Sequence, residues 1–200
     1  MIYFISDLHF GHEGILRLER DQFKTIEEHD EYIIEKINKQ VKITDELWIL
    51  GDVGDPKQLM RVNGKKYIIL GNHDKRSMKE YEAVASKVYK HPVYYNKRVL
   101  LSHHPHPVPS CTLNVHGHLH GAVLDSPNHV NLSIDVRGYK MFSEKDIQNI
   151  VSNLPKENRK FLQEWYADLY KFTVPKDDVI TDKYGRIDLE MTKLMRKRGL

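Results

Sequence analysis

The chain has 200 residues, 31 of them lysine or arginine and 28 aspartate or glutamate, with a formal net charge of +3. A chain of this length forms one domain, or one domain with an appendage, and buries about 70% of its unfolded surface, so it needs no disulfide or structural metal to fold. Its one cysteine, Cys111, excludes an intrachain disulfide framework. Because no apolar run approaches the roughly 20 residues that span a bilayer, and no signal-type run begins the chain, we expect a cytoplasmic protein without a membrane partner.

Apolar runs and helix signals alternate along the first half of the chain. Thr25 and Glu28 form a capping box, and apolar residues recur behind it at helical spacing, which predicts a helix over 26–41. Pro56 predicts the start of a short helix, since proline favours the first helical position. Apolar β-type runs predict strands over 1–6, 47–50 and 67–70.

The second half continues this mixture. Ser77 begins a predicted helix near 77–86, and Ser143 caps a predicted helix that runs to about residue 153. Short β-type runs predict strands near 88–91, 99–102, 113–115 and 130–134. Strands mixed with helices through residue 134 are typical of the α/β or α+β class.

A boundary at Pro155 divides the chain into a predicted domain over 1–153 and a helical, basic extension over 154–200. Residues 183–200 contain six basic and two acidic side chains, so the excess of positive charge lies at this end. Such a run is usually a solvated helix face and less often an arm that attracts phosphate.

Polar side chains able to bind metal follow five of the predicted strands. Polar groups just past strand ends converge on one rim of a sheet, where ligands bind. Taken alone, Gly71-Asn72 also fits a turn with His73-Asp74 as a helix cap, but the same arrangement recurs four more times. The five groups are Asp7 with His9, Asp52 with Asp55, Asn72 with His73 and Asp74, His103, and His118 with His120.

The ligand types indicate a transition-metal centre. Carboxylate, imidazole and carboxamide groups together suit manganese, iron, cobalt, nickel or zinc better than an all-oxygen magnesium or calcium site. The ligands are too many for one tetrahedral zinc and include no thiolate set, so a structural zinc site is excluded. A pair of divalent ions is the economical interpretation.

The ordered motifs resemble those of the calcineurin-like metallophosphoesterase superfamily. They are Asp7-Leu8-His9, Gly51-Asp52-Val53-Gly54-Asp55, Gly71-Asn72-His73-Asp74, Ser102-His103 and Gly117-His118-Leu119-His120. All five stand in the family's order and span residues 2–137. The resemblance implies an α/β fold, specifically a four-layer α/β/β/α sandwich with a dinuclear metal site at the strand ends, followed by the short helical extension.

The resemblance also implies how two ions are shared, with manganese favoured. Asp52 would bridge both ions, since a carboxylate is the group in this set that bridges two cations comfortably. The two implied ligand sets are Asp7, His9, Asp52 and His120 for one ion, and Asp52, Asn72, His103 and His118 for the other. His104, the neighbour of His103, is the alternative ligand at that position.

The implied reaction is hydrolysis of a phosphate ester by in-line attack of a metal-bridging hydroxide. His73 would stabilise the developing charge or protonate the leaving oxygen, and Asp74 would hold the ring of His73. Asp55 matches the family pattern but is predicted to be a hydrogen-bonding loop residue rather than a ligand.

Two hypotheses other than a phosphoesterase are disfavoured by the sequence. A non-catalytic scaffold would have gaps in the ligand set, and none is present. A metallo-β-lactamase-type hydrolase would continue with Asp-His after His120, whereas Gly121-Ala122 follows. Because 14 residues separate His103 from His118 and leave little room for a cap, we expect a phosphodiesterase acting on a phosphate ester, with a nucleotide as one candidate substrate. The alternative is a nuclease, or a phosphatase that processes RNA or DNA ends, which binds nucleic acid through the basic C-terminus.

Overall fold

The computed structural model of the chain describes residues 1–156 and the strand Thr181–Asp182. The α-helices of this part are α1 Gly14–Leu18, α2 Ile26–Gln40, α3 Met78–Glu82, α4 Ile134–Arg137 and α5 Glu144–Asn153, and a 3₁₀ helix spans Pro56–Arg61. The strands are β1 Ile2–Ile5, β2 Glu46–Leu50, β3 Lys65–Ile69, β4 Lys87–Tyr89, β5 Val93–Asn96, β6 Val99–Leu101, β7 Leu113–His116, β8 His129–Asn131, β9 Phe142–Ser143 and β10 Thr181–Asp182.

The strands form two five-stranded sheets. The first has the order β4-β3-β2-β1-β9, in which the first four strands are parallel and β9 is antiparallel to β1. The second has the order β10-β5-β6-β7-β8, in which β6, β7 and β8 are parallel and β5 is antiparallel to β6. Two sheets rich in parallel pairs, combined with helices, confirm the α/β class.

The first sheet has a hydrophobic core on each face. On one face, Trp48 stacks on Tyr67 with ring centroids 4.7 Å apart and meets Tyr95 of the second sheet edge-on at 5.8 Å. On the other face, Ile33 and Ile37 of α2 are buried in a separate cluster. Burying such a side chain contributes about 1.5–3 kcal/mol, so α2 is fastened to the sheet by its apolar stripe.

The two sheets meet at the carboxyl end of β1. Ser6 forms an isolated parallel bridge with Ser133, which follows β8. The Ser6 N–H donates to the Leu132 carbonyl oxygen at 3.2 Å, and the Ile134 N–H donates to the Ser6 carbonyl oxygen at 3.3 Å. This bridge brings the strand-end loops of both sheets to one rim.

Several elements differ from the sequence-based prediction. The strand predicted over 130–134 is observed only as far as Asn131, and α4 begins at Ile134. The predicted helix over 77–86 is reduced to Met78–Glu82, and β5 and β9 were not predicted. The predicted helices after Pro155 lie outside the described residues, but Thr181–Asp182 pairs in parallel with β5, so the extension supplies a strand to the second sheet.

Among the helices that can be described, none has the length and apolar character required to cross a membrane.

Candidate metal centre

All seven predicted metal ligands lie in loops at the shared rim of the sheets. The loops follow β1, β2, β3, β6 and β7, so each predicted strand end carries its ligand as expected. One group consists of Asp7, His9 and His120, whose candidate ligand atoms all lie within 4.8 Å of one another. Asp7 and His9 are buried, whereas His120 is half-buried and borders the opening of the site.

A second group forms around His103. Its Nδ1–H donates to the Leu50 carbonyl oxygen at 2.9 Å, which leaves Nε2 of the neutral ring as an acceptor. That nitrogen lies 2.9 Å from Asn72 Oδ1, and the same oxygen lies 3.0 Å from His118 Nδ1. Asn72 Oδ1 therefore brings the ring nitrogens of His103 and His118 close to one another.

Asp52 lies between the two groups. Its Oδ2 is 3.5 Å from His9 Nε2 and 3.3 Å from His103 Nε2, and its Oδ1 accepts the His73 N–H at 2.8 Å. Asp52 Oδ2 and both ring nitrogens of His9 are buried without a hydrogen-bond partner among the described residues. A buried polar atom without a partner costs about 1–3 kcal/mol, and a cation bound here would satisfy Asp52 Oδ2 and the one unprotonated nitrogen of the His9 ring. The donor set therefore fits a metal ion.

The surroundings of His103 differ from those of His104, the alternative ligand. His103 is buried and held by Leu50, whereas His104 is exposed and packs its ring 4.1 Å from that of His118. His104 has a ligand atom near those of His103 and His118, but His103 is also grouped with Asp7 and Asp52. The geometry therefore favours His103 over His104 as the ligand at this position.

The electrostatics of the site follow from burial. Burial raises the pKa of Asp7 and lowers that of His9 to about 3, so the His9 ring is neutral near pH 7 with a lone pair available. Burial also acts to raise the pKa of Asp52, but His103 and the His73 amide outweigh it and lower that pKa to about 2. Burial likewise lowers the pKa of His118. The hydrogen bond to Asp135 raises the pKa of His120, and Asp52 outweighs burial to raise that of His103. The site therefore combines an ionised carboxylate with imidazoles of which His9 is neutral near pH 7.

The ligand backbones are strained. Six non-glycine residues in the described part of the chain have φ in the left-handed region, and five of them are predicted ligands. Such a conformation costs roughly 1–2 kcal/mol per residue and concentrates at functional sites. The five ligands are Asp7, His9, Asp52, His118 and His120, with φ of 61°, 50°, 52°, 69° and 47°.

Two glycines allow the ligand loops to approach one another. A Cβ at Gly117 would lie 1.8 Å from Ser6 Oγ and 2.5 Å from Asp7 Oδ2. A Cβ at Gly71 would lie 2.2 Å from Asp52 Oδ1. Both motifs therefore need glycine next to the ligand, because any side chain would displace a carboxylate of the site.

Comparison with known proteins identifies relatives that extend over most of the chain. No protein-family model matches it. The uncharacterized protein MJ1445 of Methanocaldococcus jannaschii is 32% identical over 162 residues, which cover 71% of this chain and 86% of the relative. This chain belongs to the MJ1445 family. The Gene 66 protein of Mycobacterium phage L5 is 25% identical over 200 residues, which cover 78% of this chain and 96% of the phage protein.

A solved structure shares the fold of this MJ1445-family chain. The protein of unknown function AQ665 from Aquifex aeolicus matches with a TM-score of 0.62 and 25% identity. The match covers 75% of this chain and 98% of AQ665. The names of these relatives state no activity.

The two predicted catalytic residues have different surroundings. His73 is exposed, and its ring centroid lies 5.4 Å from that of His9, so it borders the site from the solvent side. Asp74 accepts the N–H groups of Asp52, Val53 and Gly71 at 2.8–2.9 Å, as well as the Tyr81 hydroxyl at 3.2 Å. The expected bond from Asp74 to the His73 ring is not among these contacts, so Asp74 instead joins two ligand loops.

Asp55 is a loop residue as predicted, because its carboxylate accepts the Lys57 N–H at 3.1 Å and caps the 3₁₀ helix.

Two residues near His120, Arg20 and Asp135, were not predicted from the sequence. Asp135 accepts a hydrogen bond from His120 Nδ1 at 2.8 Å and from Arg20 Nε at 2.8 Å. A signal for Asp135 was present, since it follows the apolar run over 130–134 just as the ligands follow theirs. Arg20 stands in a charged segment, Arg17 to Asp21, that carries no such signal.

Proposed function

We propose that this chain is a metal-dependent phosphoesterase that hydrolyses phosphodiesters with two divalent ions. The observation that carries the proposal is the buried, unpartnered set formed by Asp52 Oδ2 and the two ring nitrogens of His9. Manganese is the favoured ion, and iron, zinc, cobalt and nickel accept the same ligands. Magnesium and calcium would require more oxygen ligands than this site offers.

Each of the two ligand groups would hold one ion, and Asp52 would contact both. Asp7, His9 and His120 would hold one ion, while Asn72, His103 and His118 would hold the other, with Asp52 shared. When bound, the ions supply a water of lowered pKa and polarise the phosphoryl oxygens for in-line displacement. The chain itself supplies rigid placement, since four of these ligands are buried and tied to neighbouring loops.

The chain's own residues at the opening provide the remaining chemistry. His73 is exposed beside His9 and is placed to donate a proton to a leaving oxygen. A cavity of about 490 Å³ opens next to it, with Lys75 and Arg76 in its wall. These exposed cations attract a phosphate group, so the cavity is suited to the substrate rather than to an apolar ligand.

A phosphodiester is favoured because the site is open. The described segment between His103 and His118 consists of a loop and β7, so this segment forms no cap over the ligands. The second ester arm can therefore extend into solvent or into the cavity beside Lys75. A nucleotide fits this description, and nucleic acid is the alternative that the basic residues 183–200, outside the described part, keep open.

The proposal includes the four-layer α/β/β/α sandwich. Helix α2 and the two sheets supply three layers, and the fourth would cover the outer face of the second sheet. Leu100 supports this cover, because it is buried although its neighbours Val99 and Leu101 belong to the core between the sheets. The return of the chain to this sheet at Thr181–Asp182 also supports it.

Metal content and activity test the proposal together. The purified chain, loaded with Mn²⁺, is assayed against a panel of phosphomonoesters and phosphodiesters, and diester hydrolysis is expected. Asp52→Asn should deplete both ions and abolish turnover, while Asp55→Asn, which changes a cavity-wall carboxylate that caps a helix, should retain both ions. Normal metal occupancy in Asp52→Asn would refute the bridging role, and a wild-type chain without metal uptake would refute the function.

The nucleic-acid alternative is tested by salt. Substrate affinity that falls steeply with ionic strength supports binding to a nucleic-acid backbone, because counterions are released on binding. A flat response supports a small diester.

A further inference from the structure

The side chain of Arg20 is completely buried, and every N–H that it carries has a partner. A guanidinium has five donors in a fixed plane. Nε and Nη2 donate to the two carboxylate oxygens of Asp135 at 2.8 and 3.0 Å. Nη2 also donates to the Asp7 carbonyl oxygen at 2.5 Å, and Nη1 donates to the Leu8 carbonyl oxygen at 3.1 Å and to His29 Nε2 at 2.8 Å. Arg20 therefore holds the backbone of a ligand loop and a carboxylate at once.

Asp135 also forms a hydrogen bond with His120. Its Oδ2 lies 2.8 Å from His120 Nδ1 and accepts the Ser133 hydroxyl at 2.9 Å. An ionised carboxylate only accepts hydrogen bonds, so His120 Nδ1 must carry the proton. In the neutral ring Nε2 is then unprotonated, and it is the nitrogen left to join Asp7 and His9.

The other side of Arg20 is fixed in the same manner. Since Arg20 only donates, His29 Nε2 accepts, and His29 Nδ1–H donates to Asp30 Oδ1 at 2.8 Å. Asp30 Oδ2 accepts the Gly11 N–H at 3.0 Å. The network therefore holds the ligand loop at both ends, at the carbonyl of Asp7 and at the amide of Gly11.

We propose that Arg20 and Asp135 are positioning residues for the ion held by Asp7, His9 and His120. Asp135 sets the tautomer and direction of the His120 ring, and Arg20 holds both Asp135 and the left-handed backbone at Asp7. This inference rests on the proposed metal centre and concerns one half of it. Asn72 and His118, which belong to the other half, make no contact with Arg20 or Asp135 among the described hydrogen bonds.

A purely structural role is a poor explanation for this pair. Burying an arginine and a carboxylate removes both from water, and apolar residues of similar volume often stabilise a fold better. Four of the five N–H donors of Arg20 instead bind Asp135 and the loop that carries Asp7 and His9. Hydrogen bonds from a metal-binding histidine to a carboxylate are known to orient the ring and to raise its basicity.

Asp135→Asn is the most direct test. The amide can turn its NH₂ toward His120, which would then move its proton to Nε2 and lose its free lone pair. We expect Mn²⁺ titration followed by calorimetry and elemental analysis to show one ion bound 10–100-fold more weakly and the other unchanged. The matched control is Asp146→Asn, which alters the carboxylate of the α5 capping box and should leave both affinities unchanged.

A second variant covers the case in which Asp135→Asn does not fold. Arg20→Lys keeps the positive charge beside Asp135, but an ammonium has three donors and cannot serve five acceptors. The same selective weakening of one ion is expected, with circular dichroism used to show that the fold is retained.

The tautomer of His120 gives a readout that does not depend on metal or turnover. Long-range ¹H–¹⁵N spectra of the metal-free chain, with the His120 signals assigned from a His120→Gln variant, should show the Nδ1–H tautomer in the wild type. In Asp135→Asn the pattern should change toward Nε2–H. Asp135→Glu, which retains an acceptor, should restore the wild-type pattern at least in part.

Three outcomes overturn the inference. Wild-type affinity for both ions in Asp135→Asn and Arg20→Lys would do so, as would equal weakening of both ions, because that result indicates a general loss of structure. An Nε2–H tautomer in the wild-type chain would contradict it independently. Failure of the proposed function is recognised differently, since the wild-type chain would then bind no ion at all.

Discussion

Asp74 joins the two central ligand loops, and replacing it by asparagine tests that role. Its Oδ2 accepts the N–H groups of Asp52 and Gly71, while its Oδ1 accepts the Val53 N–H and the Tyr81 hydroxyl. An asparagine has one acceptor oxygen in place of two. The least costly orientation keeps this oxygen toward Asp52 and Gly71 and turns the NH₂ toward Val53 and Tyr81, whose hydroxyl can reverse and accept.

The magnitude follows from these contacts. The Val53 N–H loses its partner, which costs about 1–3 kcal/mol for a buried donor. The two retained bonds lose a charged acceptor, and bonds to charged groups exceed neutral ones by roughly 1 kcal/mol each. Burial raises the pKa of Asp74, so removing the charge recovers part of this loss. We therefore expect Asp74→Asn to lower the free energy of unfolding by about 2–4 kcal/mol.

Urea unfolding followed by circular dichroism, carried out on metal-free protein, measures this change. Asp55→Asn is the matched control, since Asp55 accepts one N–H at a helix cap and asparagine caps equally well, so a change within about 0.5 kcal/mol is expected. If Asp74 served only to orient the His73 ring, Asp74→Asn would reduce the rate and leave the unfolding midpoint unchanged. That result would refute the role as a link between the loops.

Two further variants, His73→Ala and Gly117→Ala, and the addition of Mn²⁺ also test the site. His73→Ala should keep both ions, as measured by elemental analysis, yet lose roughly 10²–10⁴ in kcat, the range for a general acid; loss of metal would contradict its role. Gly117→Ala should destabilise the fold by about 1–3 kcal/mol because its Cβ meets Ser6 and Asp7, whereas Gly121→Ala, with nothing within 4 Å, should be neutral in the same melts. Mn²⁺ at 100 times its dissociation constant should raise the free energy of unfolding by about 2.7 kcal/mol per site, and a melting temperature unaffected by Mn²⁺ would argue against a native metal centre.

The parts of the fold that were predictable are those with a local signal. The helix over 26–41 was predicted because Thr25 caps it and its isoleucines recur at helical spacing, and Ile26–Gln40 is observed. Strand β9 was missed because two residues are too few for a periodic pattern. Strand β5, Val93–Asn96, is as long as strands that were predicted, but one valine followed by two tyrosines and an asparagine forms no aliphatic run. Their place in the sheets is decided by pairing with residues far along the chain.

The candidate site shows the same difference between local signals and long-range contacts. The seven candidate ligands were found because each directly follows an apolar strand, which is a local pattern. Asp74 accepts hydrogen bonds from Val53 and Asp52, 21 and 22 residues away, and the carboxylate that Arg20 binds belongs to Asp135, 115 residues away. Such partners depend on the assembled fold, so residue type alone suggested the wrong neighbour for Asp74 and none for Arg20.

The left-handed backbone of the ligands links these long-range contacts to function. Five strained ligands cost roughly 5–10 kcal/mol together, at about 1–2 kcal/mol each, which is comparable to the whole stability of a small domain. The strain persists because the loops hydrogen-bond to one another: the His9 N–H donates to the Asp52 carbonyl oxygen at 2.8 Å, and the His118 N–H donates to the Asp7 carboxylate at 3.1 Å. Glycine enters this region without strain, and asparagine, aspartate and histidine enter it more often than other residues do. The two aspartates and three histidines at these positions combine a left-handed backbone with a side chain that can bind a cation, which favours the proposed metal centre.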